Sequence, residues 1–299
     1  MSGTQETIMD IHFGDNLPIL ADFDDASFNL IYIDPPFNTG KKQTRTRTKT
    51  VRDNHGDRTG FKGQRYSTIK LGEKAYRDSF DDYLGFIEPR LRQAHRLLTP
   101  TGSLFFHIDF REAHYCKIML DEIFGRDCFL NEIIWSYDYG GRSKRKWSAK
   151  HDTIFWYGKD PENYTFNYDA IDRIPYMAPG LVGADKAARG KTPTDVWWNT
   201  IVSPTGKEKT GYPTQKPLRI LERIIEVHTN PGDRVLDFFA GSGTAGEAAW
   251  KHGREAVLID NNPQAIEVMT ERLADASPRL HPAGVRPAAS LPDPATLES

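Results

Sequence analysis

Long apolar runs are missing from this sequence of 299 residues. A membrane-spanning helix needs about 18 or more consecutive apolar residues, and no such run exists. Residues 1–6 also lack the basic and then apolar layout of a signal peptide. We therefore expect a cytoplasmic protein that has no membrane partner.

Cysteine is scarce as well, since Cys116 and Cys128 are the only two. They fit a reducing compartment rather than the disulfide framework of a secreted protein. A strong charge of one sign is also lacking, because 39 lysines and arginines nearly balance 41 aspartates and glutamates, for a formal net charge of -2. Binding to nucleic acid would therefore have to come from a local basic patch.

The sequence does contain enough apolar residues for a full core. With 38% hydrophobic and 27% charged residues, we expect one domain with an insertion. Short apolar segments alternate with helical patterns, which predicts an α/β fold with a doubly wound, mostly parallel sheet. The predicted strands are 8–13, 28–33, 103–108, 130–135, 152–157, 234–239 and 255–260.

The stretch Asp34-Pro35-Pro36-Phe37 directly follows the predicted strand 28–33. Open α/β sheets bind ligands at the carboxyl ends of their strands, so an acid, two rigid prolines and an aromatic ring indicate a site here. Alone, the stretch also fits a proline turn with a helix-capping aspartate. Asp15 and Asn16 follow strand 8–13 in the same way, and capping of a short helix is the alternative interpretation for them.

Two segments without apolar periodicity carry many basic residues. Residues 38–79 are predicted to form a mobile basic loop that becomes ordered on phosphates, and a solvated charged loop is the alternative. Residues 136–211 interleave basic and aromatic side chains, which suits phosphate contacts and base stacking, although a substrate lobe packed on its own aromatics would look similar. The predicted nucleic-acid-binding residues are Lys41, Lys42, Arg45, Arg47, Arg142, Lys144, Arg145 and Lys146.

A glycine-rich stretch follows strand 234–239 and precedes a helix. Gly241, Gly243 and Gly246 have the spacing of the dinucleotide-binding fingerprint, and Asp260 ends the next strand. Glycines let a ligand approach the backbone and the acid accepts hydrogen bonds from ribose hydroxyls, so any adenosine-bearing cofactor fits. Nicotinamide or flavin dinucleotide binding would need further βαβ units, and only about 25 residues follow the last predicted helix.

Asp34-Pro35-Pro36-Phe37 resembles the catalytic motif of S-adenosylmethionine-dependent DNA amino-methyltransferases, and residues 236–244 resemble their cofactor loop. The catalytic motif precedes the cofactor loop by about 200 residues, with a variable segment between them. This order is similar to the circularly permuted β group of the family. The resemblance covers residues 8–275 and implies a class I methyltransferase fold, seven-stranded and circularly permuted, with an inserted target-recognition region.

The resemblance implies S-adenosyl-L-methionine as the cofactor and divides the chain. Residues 1–135 would form the catalytic half, 136–211 the target-recognition region including the last sheet strand, and 212–275 the cofactor-binding half. Residues 276–299, rich in Pro, Ala and Ser, are predicted to be a disordered tail. The implied cofactor-binding residues are Asp15, Asn16, Asp34, Thr214, Lys216, Asp237, Phe238, Phe239, Ala240, Gly241, Ser242, Gly243, Thr244, Asp260 and Asn261. A surface position is the alternative for Lys216.

The implied reaction is direct methyl transfer to an exocyclic amino group, with Asp34, Pro35, Pro36 and Phe37 as catalytic residues and no metal. The lone pair of such a nitrogen is delocalised into the base, so its hydrogens must be held by acceptors. The Asp34 carboxylate and the Pro35 carbonyl can serve, in a rigid Pro-Pro frame. Phe37 offers a face for a base flipped out of the duplex.

We predict double-stranded DNA as the substrate and adenine N6 as the target, with cytosine N4 as the alternative. An RNA or protein-glutamine amino methyltransferase and a non-catalytic DNA-binding module are alternatives of other classes. Cytosine-C5 methylation is disfavoured, because it needs a cysteine preceded by proline, and neither Cys116 nor Cys128 is. A homodimer and a cognate restriction endonuclease are the other partners that the resemblance suggests.

Overall fold

A computed structural model describes residues 7–38, 41–52, 58–59, 65–78, 80, 82–203 and 206–282, with the backbone alone between 41 and 78. The strands, in chain order, are β1 Met9–Phe13, β2 Phe28–Ile33, β3 Lys41–Arg52, β4 Arg58–Thr59, β5 Arg65–Asp78, β6 Leu98–Ile108, β7 Phe129–Ser136, β8 His151–Gly158, β9 Val196–Trp198, β10 Arg234–Asp237, β11 Glu255–Asp260 and β12 Arg279–His281. The helices are α1 Asn16–Ala21, α2 Tyr83–Leu97, α3 Ala113–Phe124, α4 Ala184–Arg189, α5 Leu218–His228, α6 Thr244–Lys251 and α7 Pro263–Arg272.

Nine strands of the described chain form one sheet in the order β12-β1-β11-β10-β2-β6-β8-β7-β9. Neighbouring strands pair in parallel, except that β8 runs antiparallel to both β6 and β7. Each of the seven strands predicted from the sequence is present, and the mostly parallel α/β sheet is confirmed. The expected number of seven strands must be corrected to nine within the described ranges, because the short strands β9 and β12 are added at the two ends of the sheet. β10 and β11 come late in the chain but lie between β1 and β2, which brings the last third of the sequence against the first.

Helices cover both faces of this sheet. On one face α1, α2 and α3 bury apolar side chains such as Leu91 and Leu120 against the sheet. On the other face α5, α6 and α7 do the same, and in α5 the residues Leu221, Ile224 and Ile225 lie at helical spacing and are fully buried. Strands buried on both faces must be apolar nearly throughout, which is why β2 is hydrophobic except at Asn29, its one half-buried residue. The doubly wound architecture is therefore confirmed.

The prediction of an irregular loop over residues 38–79 must be corrected. β3 and β5 pair antiparallel from Lys41↔Asp78 to Arg52↔Tyr66, and β4 pairs with β5, so that a second sheet of three strands forms within the described ranges. Threonine occupies every second position from 44 to 50, which is a β-branched alternation typical of a strand. The prediction was wrong because it relied on apolar periodicity, whereas the residues that alternate in this stretch are threonines and other polar side chains.

The predicted disordered tail must also be corrected for its first residues. Arg279–His281 form β12, which pairs in parallel with β1 at the edge of the sheet. Arg279 donates hydrogen bonds of 2.8 and 2.6 Å to the carboxylate of Asp10, and the ring of His281 stacks on His12 with centroids 4.2 Å apart. The order of this segment comes from Asp10, a distant residue, and not from its own composition. Residues 283–299 lie outside the described residues.

In the described ranges, no helix combines the length and the apolar character needed to cross a membrane. The same ranges contain no group of three or more His, Cys, Asp and Glu side chains that could hold a metal ion. Cys116 and Cys128 are buried free thiols.

Two buried histidines make the stability of the fold depend on pH. Burial lowers the pKa of His228 to about 3. Burial is also the main cause that lowers the pKa of His12 to about 4, and the charge of the neighbouring His281 is the second cause. Below about pH 6.5 the unfolded chain binds a proton at each position while the folded chain does not. We therefore expect the free energy of unfolding, measured by urea titration, to fall as the pH drops from about 6.5 toward about 4.

The variant His228→Phe isolates one of these protons, because it keeps a ring beside Phe105 and Trp156. When the pH falls from 6 to 5, the unfolding equilibrium constant of the wild type should rise by a factor that is roughly tenfold larger than the factor for His228→Phe. Replacing the exposed His114 by Gln is the matched control and should leave the pH dependence unchanged. An identical pH dependence in His228→Phe and the wild type would contradict the assignment.

Candidate functional site

Four acidic residues meet at one edge of the main sheet. Asp15 follows β1, Asp260 ends β11, Asp237 ends β10 and Asp34 follows β2, and these four strands are parallel neighbours. The register aligns Phe13 with Asp260, so the strand ends are level. This edge, formed by the carboxyl ends of the strands, is where the sequence predicted the site.

The side chain of Asp34 is nearly buried, with 13% of its surface exposed. Its Oδ2 forms an ion pair with Nζ of Lys216, which is also nearly buried. Its Oδ1 is buried and has no hydrogen-bond partner among the described residues. A buried carboxylate oxygen without a donor is energetically costly, so this atom is a ready acceptor for an N–H group of a ligand.

The end of the motif is fixed by Asn38. This residue has a φ of 51°, in the left-handed region that asparagine tolerates. Its Nδ2 donates to Oε1 of Glu112 at 2.8 Å, and its Oδ1 accepts from the backbone N–H of Phe80 at 2.9 Å. The two prolines therefore lie between a buried strand at one end and an anchored asparagine at the other.

A buried hydrogen-bonded network lies behind the motif. The hydroxyl of Tyr32 lies 2.8 Å from Nδ1 of His107, and Nε2 of His107 lies 3.2 Å from Oδ2 of Asp152. The hydroxyl of Tyr137 donates to Oδ1 of Asp152 at 3.1 Å. Burial raises the pKa of Asp152, but the hydrogen bond to His107 and further interactions outweigh burial and leave the pKa lowered. The ring of Phe37 contacts His107, with centroids 5.8 Å apart, so the network supports both the strand before the motif and the aromatic ring that ends it.

This network was not predicted from the sequence. His107 and Asp152 lie on strands that were predicted, but their polar side chains inside apolar runs were not singled out. Both are buried, and a buried polar side chain needs a hydrogen-bond partner. A histidine within the apolar strand before residue 109 was the signal that could have been followed.

A cleft of about 280 Å³ opens beside the ends of β1 and β11. Predicted cofactor residues from three strand ends line it, together with Gly14 and two side chains of α2, which were not predicted. The lining residues are Gly14, Asp15, Asn16, Phe86, Arg90, Phe238, Phe239, Asp260 and Asn261.

Arg90 ties the α2 wall of the cleft to the strand ends. Its Nε donates to Oδ1 of Asn16 at 2.6 Å, and one terminal nitrogen donates to Oδ1 of Asp15 at 3.0 Å. Its guanidinium lies over the ring of Phe86, 4.0 Å from the centroid. Asn16 in turn donates to the carbonyl of Phe238 at 2.7 Å. Burial lowers the pKa of Arg90, although the charge of Asp15 opposes this.

Asp15 caps a helix, as the alternative interpretation predicted, and it also lies at the cleft, where cofactor binding stays a prediction. Its Oδ1 accepts from the backbone N–H of Leu17 at 3.1 Å and so caps α1, while the residue also lines the cleft. Asp260 is held by backbone donors, since its Oδ2 accepts from Gly241 at 2.9 Å and its Oδ1 from Asn262 at 2.8 Å. Burial raises the pKa of Asp260, and burial raises the pKa of Asp237 well above its usual range.

The glycines of the loop are needed for close packing as well as for the approach of a ligand. Gly243 has a φ of 74°, and a Cβ there would lie 2.8 Å from Cγ of Met269. A Cβ at Gly246 would lie 2.5 Å from Cδ1 of Leu258. The fingerprint spacing therefore reflects in part how closely the helix packs on the sheet.

Ser242 and Thr244, both predicted to bind the cofactor, are buried within the loop. Their hydroxyl oxygens lie 3.1 Å apart, and a terminal nitrogen of Arg272 donates to them at 3.2 and 2.8 Å. The Thr244 hydroxyl also donates to the carbonyl of Lys216 at 3.3 Å. These side chains thus fix the loop to the segment that carries Lys216. Phe238 and Ala240 are buried too, so a ligand would meet them through their backbone.

The segment from Tyr212 to Lys216 crosses beside the glycine loop. The Tyr212 ring lies 3.2 Å from where a Cβ of Gly241 would stand. Lys216 is 9% exposed, so it is not the surface lysine of the alternative interpretation, and it reaches Asp34. Thr214 is exposed and does not line the cleft. Cofactor binding by Thr214 and Lys216 stays a prediction.

The predicted nucleic-acid-binding residues divide into two sets. Arg142, Lys144, Arg145 and Lys146 are exposed on the connection between β7 and β8, and Arg142 is paired with Asp138 at 3.0 Å. For the second set, the backbone lies in β3 and the side chains lie outside the described part. These residues are Lys41, Lys42, Arg45 and Arg47.

Comparison with known proteins finds a match to one family. The sequence model of the DNA methylase family N6_N4_Mtase matches residues 28–271. The type II methyltransferase M.HpaI of Haemophilus parainfluenzae is 32% identical over 254 residues, 85% of this chain and 70% of that protein. The DNA adenine methyltransferase YhdJ of Escherichia coli (strain K12) is 31% identical over 277 residues, 88% of this chain and 82% of that protein.

Solved structures share the fold. The M1.HpyAVI–SAM complex superposes with a TM-score of 0.57 at 21% identity, covering 89% of this chain and 99% of that chain. The cytosine-N4-specific PvuII DNA methyltransferase superposes with a TM-score of 0.59 at 14% identity, covering 93% and 97%.

His107 contacts Tyr32, Asp152 and Phe37. Its removal should therefore lower the free energy of unfolding more than removal of the Tyr137 hydroxyl does. His107→Leu leaves Tyr32 and the Asp152 carboxylate without their buried partner, and we expect a loss of about 3 kcal/mol. Tyr137→Phe removes one hydrogen bond of a partly buried hydroxyl and should cost about 1 kcal/mol. Urea unfolding measures both, and equal losses would show that His107 does not hold the network together.

Proposed function

The chain belongs to the N6/N4 DNA methylase family and is an S-adenosylmethionine-dependent DNA methyltransferase, and from that premise we propose that adenine N6 is the atom it methylates. The observation that carries an exocyclic amino group as the target is the buried Oδ1 of Asp34, which lacks a hydrogen-bond donor at the carboxyl end of β2. An exocyclic amino group would supply the missing donor.

The residues of the cleft fit the cofactor. Asp260 and Asp15 offer carboxylate oxygens to ribose hydroxyls, and the rings of Phe86 and Phe239 offer apolar surface to adenine. Bound S-adenosylmethionine would supply an electrophilic methyl group. Lys216 forms an ion pair with Asp34 of the catalytic motif, and its carbonyl accepts a hydrogen bond from Thr244 of the glycine loop, so this residue links the motif to the loop.

Asp34 activates the amino group by accepting one of its hydrogens through Oδ1. Holding that hydrogen favours a tetrahedral nitrogen whose lone pair is available for attack, and the Pro35 carbonyl is the proposed second acceptor. As the N–C bond forms, the S–C bond of the sulfonium would break and leave a neutral thioether. The nitrogen would carry a positive charge until its proton passes to solvent, and the carboxylate would stabilise that charge. Phe37, supported by His107, offers its face to the base. The reaction needs no covalent enzyme intermediate.

Adenine is proposed over cytosine for two reasons. The first motif residue is an aspartate, and the relative YhdJ is named a DNA adenine methyltransferase. Cytosine N4 remains the second candidate, because the PvuII enzyme that shares the fold is cytosine-N4-specific.

The remaining proposals concern the substrate and the partners. We propose that the target base flips out of double-stranded DNA and that residues 136–211 contact the DNA. We also propose that the chain is circularly permuted. This proposal is supported by β10 and β11, which follow β1 and β2 in sequence but lie between them in the sheet. A DNA substrate and two free cysteines fit the cytoplasm. A homodimer and a cognate restriction endonuclease stay predictions, and the relative M.HpaI is named a type II methyltransferase.

Methylation by Asp34→Ala tests the catalytic proposal. We expect the variant to lose at least about a hundredfold in the rate of methyl transfer to duplex DNA, measured at saturating S-adenosylmethionine. Replacement of the exposed Asp275 by Ala is the matched control and should leave the rate unchanged. Retained activity in Asp34→Ala would overturn the mechanism. Mass spectrometry of nucleosides from the product should find N6-methyladenine, and N4-methylcytosine alone would overturn the choice of base.

Two arginines of α2 test the cofactor cleft. Arg90 lines it and Arg92 points to solvent, where it pairs with Glu88. In Arg90→Met the links to Asp15 and Asn16 are lost, so we expect the dissociation constant for S-adenosylmethionine, measured by calorimetry, to rise about tenfold. Arg92→Met should bind as the wild type does. Equal affinity in both variants would place the cofactor elsewhere.

A further inference from the structure

The connection between β7 and β8, residues 138–150, is a braced loop that we call the basic loop. The backbone N–H groups of Arg145 and Lys146 donate to the hydroxyl of Ser143 at 3.1 and 3.3 Å, and the N–H of Ser143 donates to the hydroxyl of Ser148 at 2.7 Å. Lys150 bonds to the carbonyl of Tyr139. The tip of the loop is therefore shaped by its own hydrogen bonds before any partner binds.

Trp147 stands at this tip with 98% of its surface exposed. Burying an indole is worth several kcal/mol to a fold, so a fully exposed tryptophan on a braced loop indicates an interaction surface. Lys144, Arg145 and Lys146 immediately precede it, are exposed, and form no ion pair within the described part of the chain. Basic side chains beside an aromatic ring suit the phosphates and bases of nucleic acid better than an apolar protein surface.

The basic loop emerges at the edge of the sheet that carries the site. β7 and β6 both run antiparallel to β8, so β7 ends at the same edge as β6 and β2. Ser136, the last residue of β7, pairs with His151, the first residue of β8, and the loop between them rises from that edge.

The base of the loop is joined to the catalytic motif. The N–H of Tyr137 donates to the carbonyl of Lys150 at 2.9 Å and closes the loop. The Tyr137 hydroxyl bonds to Asp152, which bonds to His107, whose ring contacts Phe37. Trp147 is five residues from Asp152, so its Cα lies within about 18 Å of that anchor.

We propose that Trp147 enters the DNA duplex and stacks in the space that the target base leaves when it moves to Phe37, while Lys144, Arg145 and Lys146 hold the flanking phosphates. A flipped base leaves its neighbours unstacked, which costs free energy that an inserted aromatic ring offsets. The braced loop supplies that ring without a further ordering cost. This inference rests on the proposed function, because it requires a base outside the stack.

Fluorescence of 2-aminopurine at the target position tests the inference. The duplex carries the recognition sequence mapped from the methylated product, and the 2-aminopurine signal rises when the base leaves the stack. At saturating DNA we expect Trp147→Ala to lose most of this rise and to fall about tenfold in the rate of methylation, whereas Trp147→Phe, which keeps a ring, retains most of both. Leu280→Ala, which alters an exposed apolar side chain at the opposite end of the sheet, should behave as the wild type.

A mismatched partner opposite the target base separates insertion from simple groove contact. A mismatched base costs less to flip, so the rate defect of Trp147→Ala should shrink on mismatched duplex if Trp147 fills the vacated space. An unchanged fluorescence rise at saturation, or a defect of equal size on matched and mismatched DNA, would overturn the inference. Absence of methylation by the wild type would overturn the proposed function itself, and that outcome is distinct.

Discussion

The site depends on one pairing, that of β2 with β10 at the centre of the sheet. The register Val235↔Leu30 and Leu236↔Ile31 joins two segments that lie about 205 residues apart in the chain. Because the strands are parallel and level, the motif after β2 and the glycine loop after β10 must leave the sheet side by side. Closing so long a loop is entropically unfavourable, and the continuous burial of both strands provides the compensation.

Charge is the second constraint at this edge. Burial opposes ionisation of Asp237 and Asp260 and raises the pKa of both. Asp34 has a direct cationic partner, the ammonium of Lys216. The lysine therefore does for the motif what Arg90 does for the cleft: it places a positive charge beside an acid that must keep a defined position. Both cations are themselves buried. Removal of Lys216 would leave the nearly buried carboxylate of Asp34 without its cation, whereas the carboxylate of Asp15 is 60% exposed.

The sequence predicted the strands, the doubly wound sheet and the two motifs, because apolar runs and glycine or proline punctuation are local signals. It did not predict β3 and β5, whose alternation is carried by threonine rather than by apolar residues, nor β12, whose order depends on Asp10 far away in the chain. In the site, the acids at the strand ends were predictable from position alone. Arg90, Phe86 and the buried network of His107 were not, because their importance arises from neighbours that only the folded chain supplies. Ser242 and Thr244 were predicted from a motif match, but the match did not reveal that their hydroxyls are bonded to Arg272.

The main sheet begins and ends with strands of three residues each, β12 and β9. The interior strands are longer and largely buried, and such strands would recruit other chains if their N–H and C=O groups were left free along an edge. Short terminal strands occupy those groups and present few of their own. At β1 the protection is reinforced by Arg279, whose charge and contact with Asp10 keep β12 in register. The short strands β9 and β12, which end the sheet on its two sides, thereby protect the protein against edge-to-edge aggregation.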